Sequence, residues 1–217
     1  MNVEINYRRK IDDLWLRYEK LLSNKEIGSV ISLGYRVERT IKEDDILFIG
    51  MNPSYKEGDW NNSETPFYDI APKNKYFSGL ISFTKETISS EHPSHHDLFF
   101  IRHKTQKDVE KWYKKNEYKS FFEEQLRLSK EIIVNARPRM VVVINARACN
   151  HFRQMFSVTE GDFDEKTGVY MVEINKPVPV LFSGMLSGQR VIDNGTKRTL
   201  RWHINRVLES FPIEVKQ

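Results

Sequence analysis

The run Met-Val-Val-Val-Ile at residues 140–144 constrains the fold of this chain more than any other segment. It is too short for a typical helix, and β-branched residues dominate it, so it predicts a strand. The run also lacks the alternation of apolar and polar residues that is typical of a strand with one solvent-exposed face. This pattern indicates a parallel strand that helices cover on both sides.

Three further short apolar runs, at residues 46–49, 97–101 and 178–182, also predict strands. Alternating strands and helices, with no repeat and no low-complexity linker, predict a single α/β domain over residues 1–217. We expect a three-layer α/β/α sandwich around a central, mainly parallel four-stranded sheet, with an amphipathic N-terminal helix at about residues 3–27 packed on it. Helical spacing of apolar residues occurs at residues 3–22, 76–89, 109–136, 146–156 and 197–211.

The composition is that of a folded, water-soluble domain, with 39% hydrophobic and 29% charged residues among 217. No apolar run approaches the roughly 20 residues that span a bilayer, so no membrane partner is expected. The N-terminus lacks the apolar core of a signal peptide, and a cytoplasmic location is therefore expected. The single cysteine, Cys149, cannot form an internal disulfide or hold a four-cysteine iron–sulfur cluster.

A polar loop, Gly50-Met51-Asn52-Pro53-Ser54, follows the strand predicted at residues 46–49. Gly50 permits backbone angles that are closed to other residues, and Pro53 pushes Asn52 out of the helical region. Asn52 is therefore expected on a stiff loop at the carboxyl end of a central strand, where open α/β sheets bind ligands. An ordinary strand-to-loop turn uses the same residue types, so the loop alone does not decide between the two interpretations.

Four segments, in this order along the chain, resemble the uracil-DNA glycosylase superfamily, most closely its mismatch-specific uracil/thymine branch. Residues 50–54 look like the Gly-x-Asn-Pro-Gly/Ser catalytic loop of that family. Asn-Lys-Tyr-Phe at residues 74–77 resembles an Asn-Arg-Phe-Trp segment that supplies the ring stacked on the base. Residues 138–146 are similar to its proline, basic residue and apolar strand before a helix. Leu-Phe-Ser-Gly-Met-Leu-Ser at residues 181–187 occupies the place of its second loop, usually His- or Asn-Pro-Ser followed by Leu-Ser.

The resemblance implies that Asn52 is the catalytic residue and that Gly50, Met51 and Ser54 contact the base. The amide oxygen of Asn52 can position and polarise a water molecule, but Asn52 cannot accept a proton at neutral pH. Backbone N–H groups around Met51 and Ser54 can donate to a base oxygen, which is the kind of preorganised electrostatics that dominates such steps.

Tyr76, Phe77 and Asp97 are the remaining candidate base contacts. Stacking of a base on Tyr76 or Phe77 would contribute about 1–3 kcal/mol, although core packing at a helix start would use the same rings. Asp97 lies where the family usually has an asparagine that reads the base. As a carboxylate it only accepts hydrogen bonds, so it favours a donor-rich edge unless it is protonated. A strand residue tied to the backbone is the competing interpretation of Asp97.

DNA is the partner that the resemblance implies, and its contacts are expected in the second loop and beyond it. Met185 and Leu186 are candidate wedges between base steps. The chain carries 34 basic and 30 acidic residues, and basic residues are concentrated between residues 189 and 211. A plain Gly/Ser turn and a solvated helix face would give the same patterns. The candidate nucleic-acid contacts are Ser183, Gly184, Met185, Leu186, Ser187, Arg190, Lys197 and Arg198.

A metal site is the alternative that His92, His95 and His96 raise, because three histidines near Glu91 suit zinc. Their spacing is not helical and they precede a strand, so no metal is expected. No Gly-rich phosphate loop of a familiar type is present, no cofactor is expected, and the serines lack the His–Asp pattern of a serine hydrolase.

The function expected from these observations is that of a DNA base-excision enzyme, a uracil-DNA glycosylase-like hydrolase of the N-glycosidic bond of a flipped-out damaged or mismatched base. The second loop lacks the His or Asn and the Pro of the family pattern. A non-catalytic nucleic-acid- or nucleobase-binding protein of the same fold therefore stands as the alternative. The sequence fixes neither the base nor the oligomeric state.

Overall fold

The structure is a computed structural model, and it describes residues 1–55, 66–70, 74–87, 93–187 and 191–211. The helices in these ranges are α1 (Val3–Leu22), α2 (Gly28–Ile31), α3 (Lys75–Thr84), α4 (Gln106–Tyr113), α5 (Asn116–Ala136), α6 (Ala146–Phe156) and α7 (Asn194–Ser210). The strands are β1 (Val37–Glu38), β2 (Ile46–Gly50), β3 (Phe67–Tyr68), β4 (Ser94–Asp97), β5 (Met140–Val143), β6 (Phe163–Asp164), β7 (Val169–Glu173) and β8 (Pro177–Phe182).

The main sheet is mixed and has six strands in the order β4-β2-β5-β8-β7-β6. The strands β4, β2, β5 and β8 are parallel neighbours, whereas β7 and β6 extend the sheet as antiparallel strands. The observed sheet therefore has two more strands than the four that the sequence predicts. A separate parallel pair joins β1 to β3 within the described residues.

The prediction of a strand at residues 97–101 is wrong in its position, because the strand β4 ends at Asp97. Residues 98–101 are completely buried, but the backbone N–H groups of Phe100 and Ile101 donate to the side-chain oxygen Oε1 of Gln125. A run of apolar residues predicts that a segment is buried, but it does not predict that the segment is a strand. Here a side chain from α5, instead of a neighbouring strand, is the hydrogen-bond partner of the backbone.

Hydrophobic clusters lie on both faces of the parallel strands. In β2, Leu47 and Ile49 join the cluster that contains the buried side of α1 and α5, while Ile46 and Phe48 join the cluster that contains α3 and α7. This alternation explains why every residue of β2 is buried, as a continuous apolar run predicts. The helix α1 buries one side, but its apolar residues Ile5, Leu16 and Leu21 are exposed.

The strand order of the sheet reverses at β2, which is therefore a topological switch point. From β2 the chain reaches β4 on one side, and then passes through α4 and α5 to β5 on the other side. In open α/β sheets such a switch point leaves a crevice at the carboxyl ends of the strands, where ligands bind. The loop that carries Asn52 begins at this crevice.

In the parts of the chain that the structure describes, no helix combines the length and the apolar character needed to cross a bilayer.

Candidate functional site

A cleft of about 720 Å³ lies at the carboxyl ends of β2, β4 and β5. Its floor is the loop after β2, and its walls come from the end of β4 and from the first residues of α3, α4 and α6. This volume is within the range of small-molecule sites. The cleft contains all the residues proposed from the first loop, from α3 and from β4 as catalytic or base-contacting, listed here as Gly50, Met51, Asn52, Ser54, Tyr76, Phe77 and Asp97.

A second cavity of about 590 Å³ lies away from the strand ends, between α1 and residues 33–35. Its rim includes the acidic residues Asp12, Asp13 and Glu19. None of the candidate residues predicted from the sequence lines it, so the cleft at the strand ends is the candidate site.

The Asn52 side chain is buried in the floor of the cleft and has a fixed orientation. Its Nδ2 donates to the backbone oxygens of Pro53, at 3.1 Å, and of His103, at 2.9 Å. Rotating the amide by half a turn would place its oxygen against two carbonyl oxygens, so this orientation is the one that the hydrogen bonds allow. The Oδ1 atom of Asn52 is left without a hydrogen-bond partner among the described residues.

The loops after β2 and β4 are held together at this point. Besides the two bonds from Asn52, the backbone N–H of His103 donates to the Pro53 oxygen at 3.0 Å. Asn52 is therefore fixed by a segment that lies about fifty positions further along the chain, which the expectation of a stiff turn made by Pro53 did not include.

Asp97 ends β4 and lies directly opposite Gly50, its register partner on β2. A Cβ atom at position 50 would lie 2.2 Å from Oδ1 of Asp97, so the glycine leaves the space that the carboxyl group occupies. The backbone of Gly50 is ordinary strand, and its φ is not positive. The expectation that Gly50 supplies special backbone angles is therefore wrong, and the residue is needed for its lack of a side chain.

Burial raises the pKa of Asp97 from 3.8 to about 8. The nearest basic group to pair with it is the His95 ring, with Nε2 at 3.9 Å from Oδ1. Burial lowers the pKa of His95 to about 3, so this ring is neutral at physiological pH and gives the carboxylate no positive charge. Asp97 is thus mostly a protonated, neutral acid at pH 7.

An aromatic wall stands beside Asp97. The Tyr76 hydroxyl lies 3.1 Å from Nε2 of His95, and the rings of Tyr76 and Phe77 each meet the His95 ring edge to face with centroids 5.5 Å apart. Phe77 also packs against Tyr68. The side chain of Asn74 accepts a hydrogen bond from the backbone N–H of Tyr76, and so begins α3 with this ring at the cleft.

The backbone of His95 is held from behind by a buried acid on β1. The Glu38 carboxyl oxygen Oε2 accepts from the N–H of His95 at 2.7 Å. Desolvation by burial raises the pKa of Glu38 well above its usual range, in spite of this hydrogen bond. Glu38 therefore supports the wall of the cleft without lining it.

Cations from several elements surround the mouth of the cleft: Arg36, Lys104, Lys107 and Arg147. The two lysines are exposed and precede or begin α4, while Arg147 lies in the first turn of α6. Asn145 caps α6, since its Oδ1 accepts from the backbone N–H of Arg147. Helix N-termini favour anions, so both helices add to the positive character of this rim.

The second loop reaches the cleft at one residue, Met185. Leu186 is 1% exposed in the core beside α3, a position that does not present its side chain as a wedge. Ser187 is also buried, against Gly79 of α3. Ser183 is half-buried and Gly184 is exposed, and neither lines the cleft.

The basic residues after the second loop do not join the cleft where the structure describes them. Lys197 and Arg198 lie in the first turns of α7 and do not line it. Arg201 pairs with Glu86, and Arg206 pairs with Glu209. Arg190 lies outside the described residues.

The histidines do not converge on one point. His95 faces the aromatic wall, whereas His96 faces the opposite side of the sheet, with Nε2 3.1 Å from the hydroxyl oxygen of Ser129 on α5. Among the described residues no group of three possible ligands is close enough to hold a metal ion. His92 lies outside those residues.

Several residues of the cleft were not predicted from the sequence as ligand contacts: Arg36, Tyr68, Lys104, Lys107, Asn145 and Arg147, together with His95, which the sequence raised only as a metal ligand. Asn145 follows a buried strand just as Asn52 does, and the same argument would have found it. The cations are scattered along the chain, and only the fold brings them together.

No protein-family model matches this chain, and no curated protein matches its sequence.

Proposed function

We propose that this protein is a base-excision enzyme of DNA repair, which hydrolyses the N-glycosidic bond of a flipped-out damaged or mismatched base. The observation that carries the proposal is the Asn52 amide, held by two backbone carbonyls with its Oδ1 unpartnered among the described residues in the floor of the cleft. The four sequence segments that resemble the uracil-DNA glycosylases, and their order along the chain, support the same reaction.

Asn52 acts on the sugar and on the attacking water. The Oδ1 atom is closed to solvent in this structure, so a shift of the loop must first open it. It would then accept a hydrogen bond from the water and lie near the positive charge that develops on the sugar. The C1′–N bond breaks, its electron pair leaves with the base, and the water oxygen forms the new bond to C1′. An amide takes no proton, so the proton of the water passes to the departing base or to solvent.

The aromatic wall would hold the base. Tyr76, Phe77 and Tyr68 present ring surfaces to a cleft of about 720 Å³. Stacking on an aromatic side chain offsets part of the stacking that a base loses when it is flipped out of the duplex.

The cationic rim would hold the DNA backbone. Lys104, Lys107 and Arg147 lie at the N-termini of α4 and α6, where backbone N–H groups and positive side chains both attract phosphate. This assignment moves the main phosphate contacts from α7 to the mouth of the cleft.

We also infer the three-layer α/β/α arrangement. Its support is the pair of hydrophobic clusters on opposite faces of the parallel strands, one with α1 and α5 and the other with α3 and α7. In such an arrangement the carboxyl ends of the strands stay open to a long polymer such as DNA.

The test uses single- and double-stranded oligonucleotides that contain uracil, hypoxanthine, xanthine or a G·T mismatch. Incubation with the protein, followed by alkaline cleavage, reveals abasic sites. We expect release of at least one of these bases by the wild type and none by Asn52→Ala at equal protein concentration. Release that persists in the variant would remove Asn52 from the reaction.

A second function, binding of nucleic acid or a free nucleobase without catalysis, is favoured by one observation. Asp97 is the one carboxyl group that lines the cleft among the described residues, and its raised pKa of about 8 leaves it protonated. The cleft therefore offers no ionised carboxylate as a base. Salt-sensitive DNA binding without release of any tested base would select this alternative.

A further inference from the structure

The Asp97 carboxyl group is an unpaired polar group in the wall of the cleft. Its side chain is 11% exposed, and its contact with a basic group is the 3.9 Å approach of the His95 ring. No residue in the described ranges makes a hydrogen bond to the carboxyl group. An unpaired carboxyl group at this depth is costly, so a ligand that fills the cleft gains from pairing with it.

The groups around Asp97 favour its neutral form. Gly50 on β2 contributes no side chain, and His95 on β4 is neutral. Tyr76 on α3 and Tyr68 on β3 have pKa values raised well above the usual range by burial, so they are neutral as well.

The charged groups near Asp97 do not reverse this preference. Glu38 on β1 is a buried acid with a raised pKa, so it supplies no positive charge that would favour the ionised form of Asp97. The Arg36 guanidinium lies over the Tyr68 ring, 4.8 Å from its centroid. The rim lysines Lys104 and Lys107 form no ion pair with Asp97, and the basic group within 4 Å of its carboxyl group among the described residues is the neutral His95 ring.

We propose that Asp97 selects the base as a neutral carboxylic acid, which donates its O–H to an acceptor atom of the base and accepts from the adjacent N–H. This inference rests on the proposed function, because it assigns the part of the cleft that reads the base. The ligand class is a base edge with one donor beside one acceptor, such as the N–H and C=O of uracil or hypoxanthine.

Ionisation would change what this residue can read. A carboxylate has two acceptors and no donor, so it repels the acceptor oxygen of such an edge. It also opposes the negative charge that the departing base takes up. The neutral acid instead donates to that oxygen and stabilises the charge. Binding and release of these bases should therefore decline as Asp97 ionises.

The matched variant is Asp97→Asn, which keeps the shape of the side chain and has a permanent donor beside an acceptor. With a pKa of about 8 for Asp97, the neutral fraction falls about tenfold between pH 7 and pH 9. We expect kcat/KM of the wild type to fall about tenfold more than that of Asp97→Asn over this interval. Ionisation of the base itself affects both proteins alike and cancels in the comparison.

A remote control is Asp13→Asn, which removes an exposed carboxylate from α1 and should keep the wild-type pH profile. Thermal unfolding of each variant at each pH shows that it is folded. Parallel profiles for the wild type and Asp97→Asn would overturn the inference, as would loss of activity in Asp97→Asn at pH 7.

Binding of the free bases separates this inference from the proposed reaction. Calorimetric titration with uracil and with hypoxanthine at pH 7 and pH 9 needs no turnover. Binding by the wild type that weakens about tenfold more than binding by Asp97→Asn supports the inference even if no abasic site is ever formed. Absence of binding of both bases at pH 7, or equal pH dependence in the two proteins, refutes it.

Discussion

Gly50 and Asp97 face each other in register on β2 and β4, and the space of the missing Gly50 side chain is filled by the Asp97 carboxyl group. Gly50→Ala would place a methyl group 2.2 Å from Oδ1 of Asp97 and 3.0 Å from Nε2 of His95, so both side chains must move. Because the backbone at Gly50 is ordinary strand, the fold should survive. We expect base binding to weaken at least tenfold, roughly 1.4 kcal/mol. Unchanged binding of free uracil or hypoxanthine would mean that this wall of the cleft does not contact the base.

Asn52→Ala should lower kcat by two or more powers of ten, on the order of 3 kcal/mol, because the reacting water loses its hydrogen-bond acceptor. Folding should be affected as well, since the backbone oxygens of Pro53 and His103 lose their bonds from Nδ2 and stability should fall by about 1–3 kcal/mol. Single-turnover kinetics and urea unfolding measure the two effects separately.

A control for this variant is Asn2→Ala, which removes the side-chain cap of α1 far from the cleft. The cap contributes about 1 kcal/mol, so the control is destabilised without a change at the reacting atoms. If Asn2→Ala lost turnover to the same extent, the loss in Asn52→Ala would reflect stability alone.

The double variant Lys104→Ala/Lys107→Ala should weaken DNA binding and reduce the slope of log K against log salt by about 2, one for each lost phosphate contact. These lysines lie at the mouth of the cleft, whereas Lys197 and Arg198 lie on α7 away from it. The matched variant Lys197→Ala/Arg198→Ala removes the same charge and should leave the slope unchanged. Fluorescence anisotropy over a range of salt concentrations distinguishes the two, and the opposite result would favour the basic surface inferred from the sequence.

The pH dependence of stability should show the buried His96. Burial lowers its pKa from 6.5 to about 3, so it binds a proton more readily in the unfolded chain. Its contribution to stability is therefore present above pH 6.5 and is lost as the pH falls toward 3. For His96→Gln we expect lower stability than the wild type at pH 7, and a difference that shrinks by up to about 1.4 kcal/mol per pH unit below pH 6.5.

Urea unfolding of the two proteins at pH 7, 6 and 5 measures this difference. Asp97 contributes with the opposite sign, because its raised pKa favours folding at low pH and this stability is lost as the pH rises toward 8. The comparison between variant and wild type removes that contribution. A constant difference at all three pH values would contradict a lowered pKa for His96.

The strands at the centre of the sheet could be predicted because their sequences are apolar throughout. The strand β5 is buried on both faces, and its continuous apolar sequence predicts this burial. The strand β4 has the sequence Ser-His-His-Asp, which no apolar pattern can find. Some of its polar side chains find partners in distant segments, as Ser94 does with the Lys42 N–H and His96 with Ser129, whereas the Asp97 carboxyl group has no hydrogen bond among the described residues.

The site was predictable where a residue's place follows from the end of a strand, and not where it depends on distant segments. The position of Asn52 belongs to the first kind, because it follows a buried strand, whereas its fixed orientation depends on the distant His103. The state of Asp97 belongs to the second, because its pKa depends on burial beside α3. The inward position of Leu186 also depends on α3, whose packing cannot be read from the loop itself.

If the proposed reaction is correct, the two carbonyl oxygens that orient the Asn52 amide also restrict how the protein could evolve. A carboxylate at position 52 would stabilise a cationic sugar better than an amide, but it has no hydrogen to donate to Pro53 and His103, whose oxygens lie at 3.1 and 2.9 Å from Nδ2. The single-step mutant therefore brings negative oxygens together before it gains any rate. A lineage under selection for faster turnover must first alter the segment around His103, and only then can it exchange the amide for an acid.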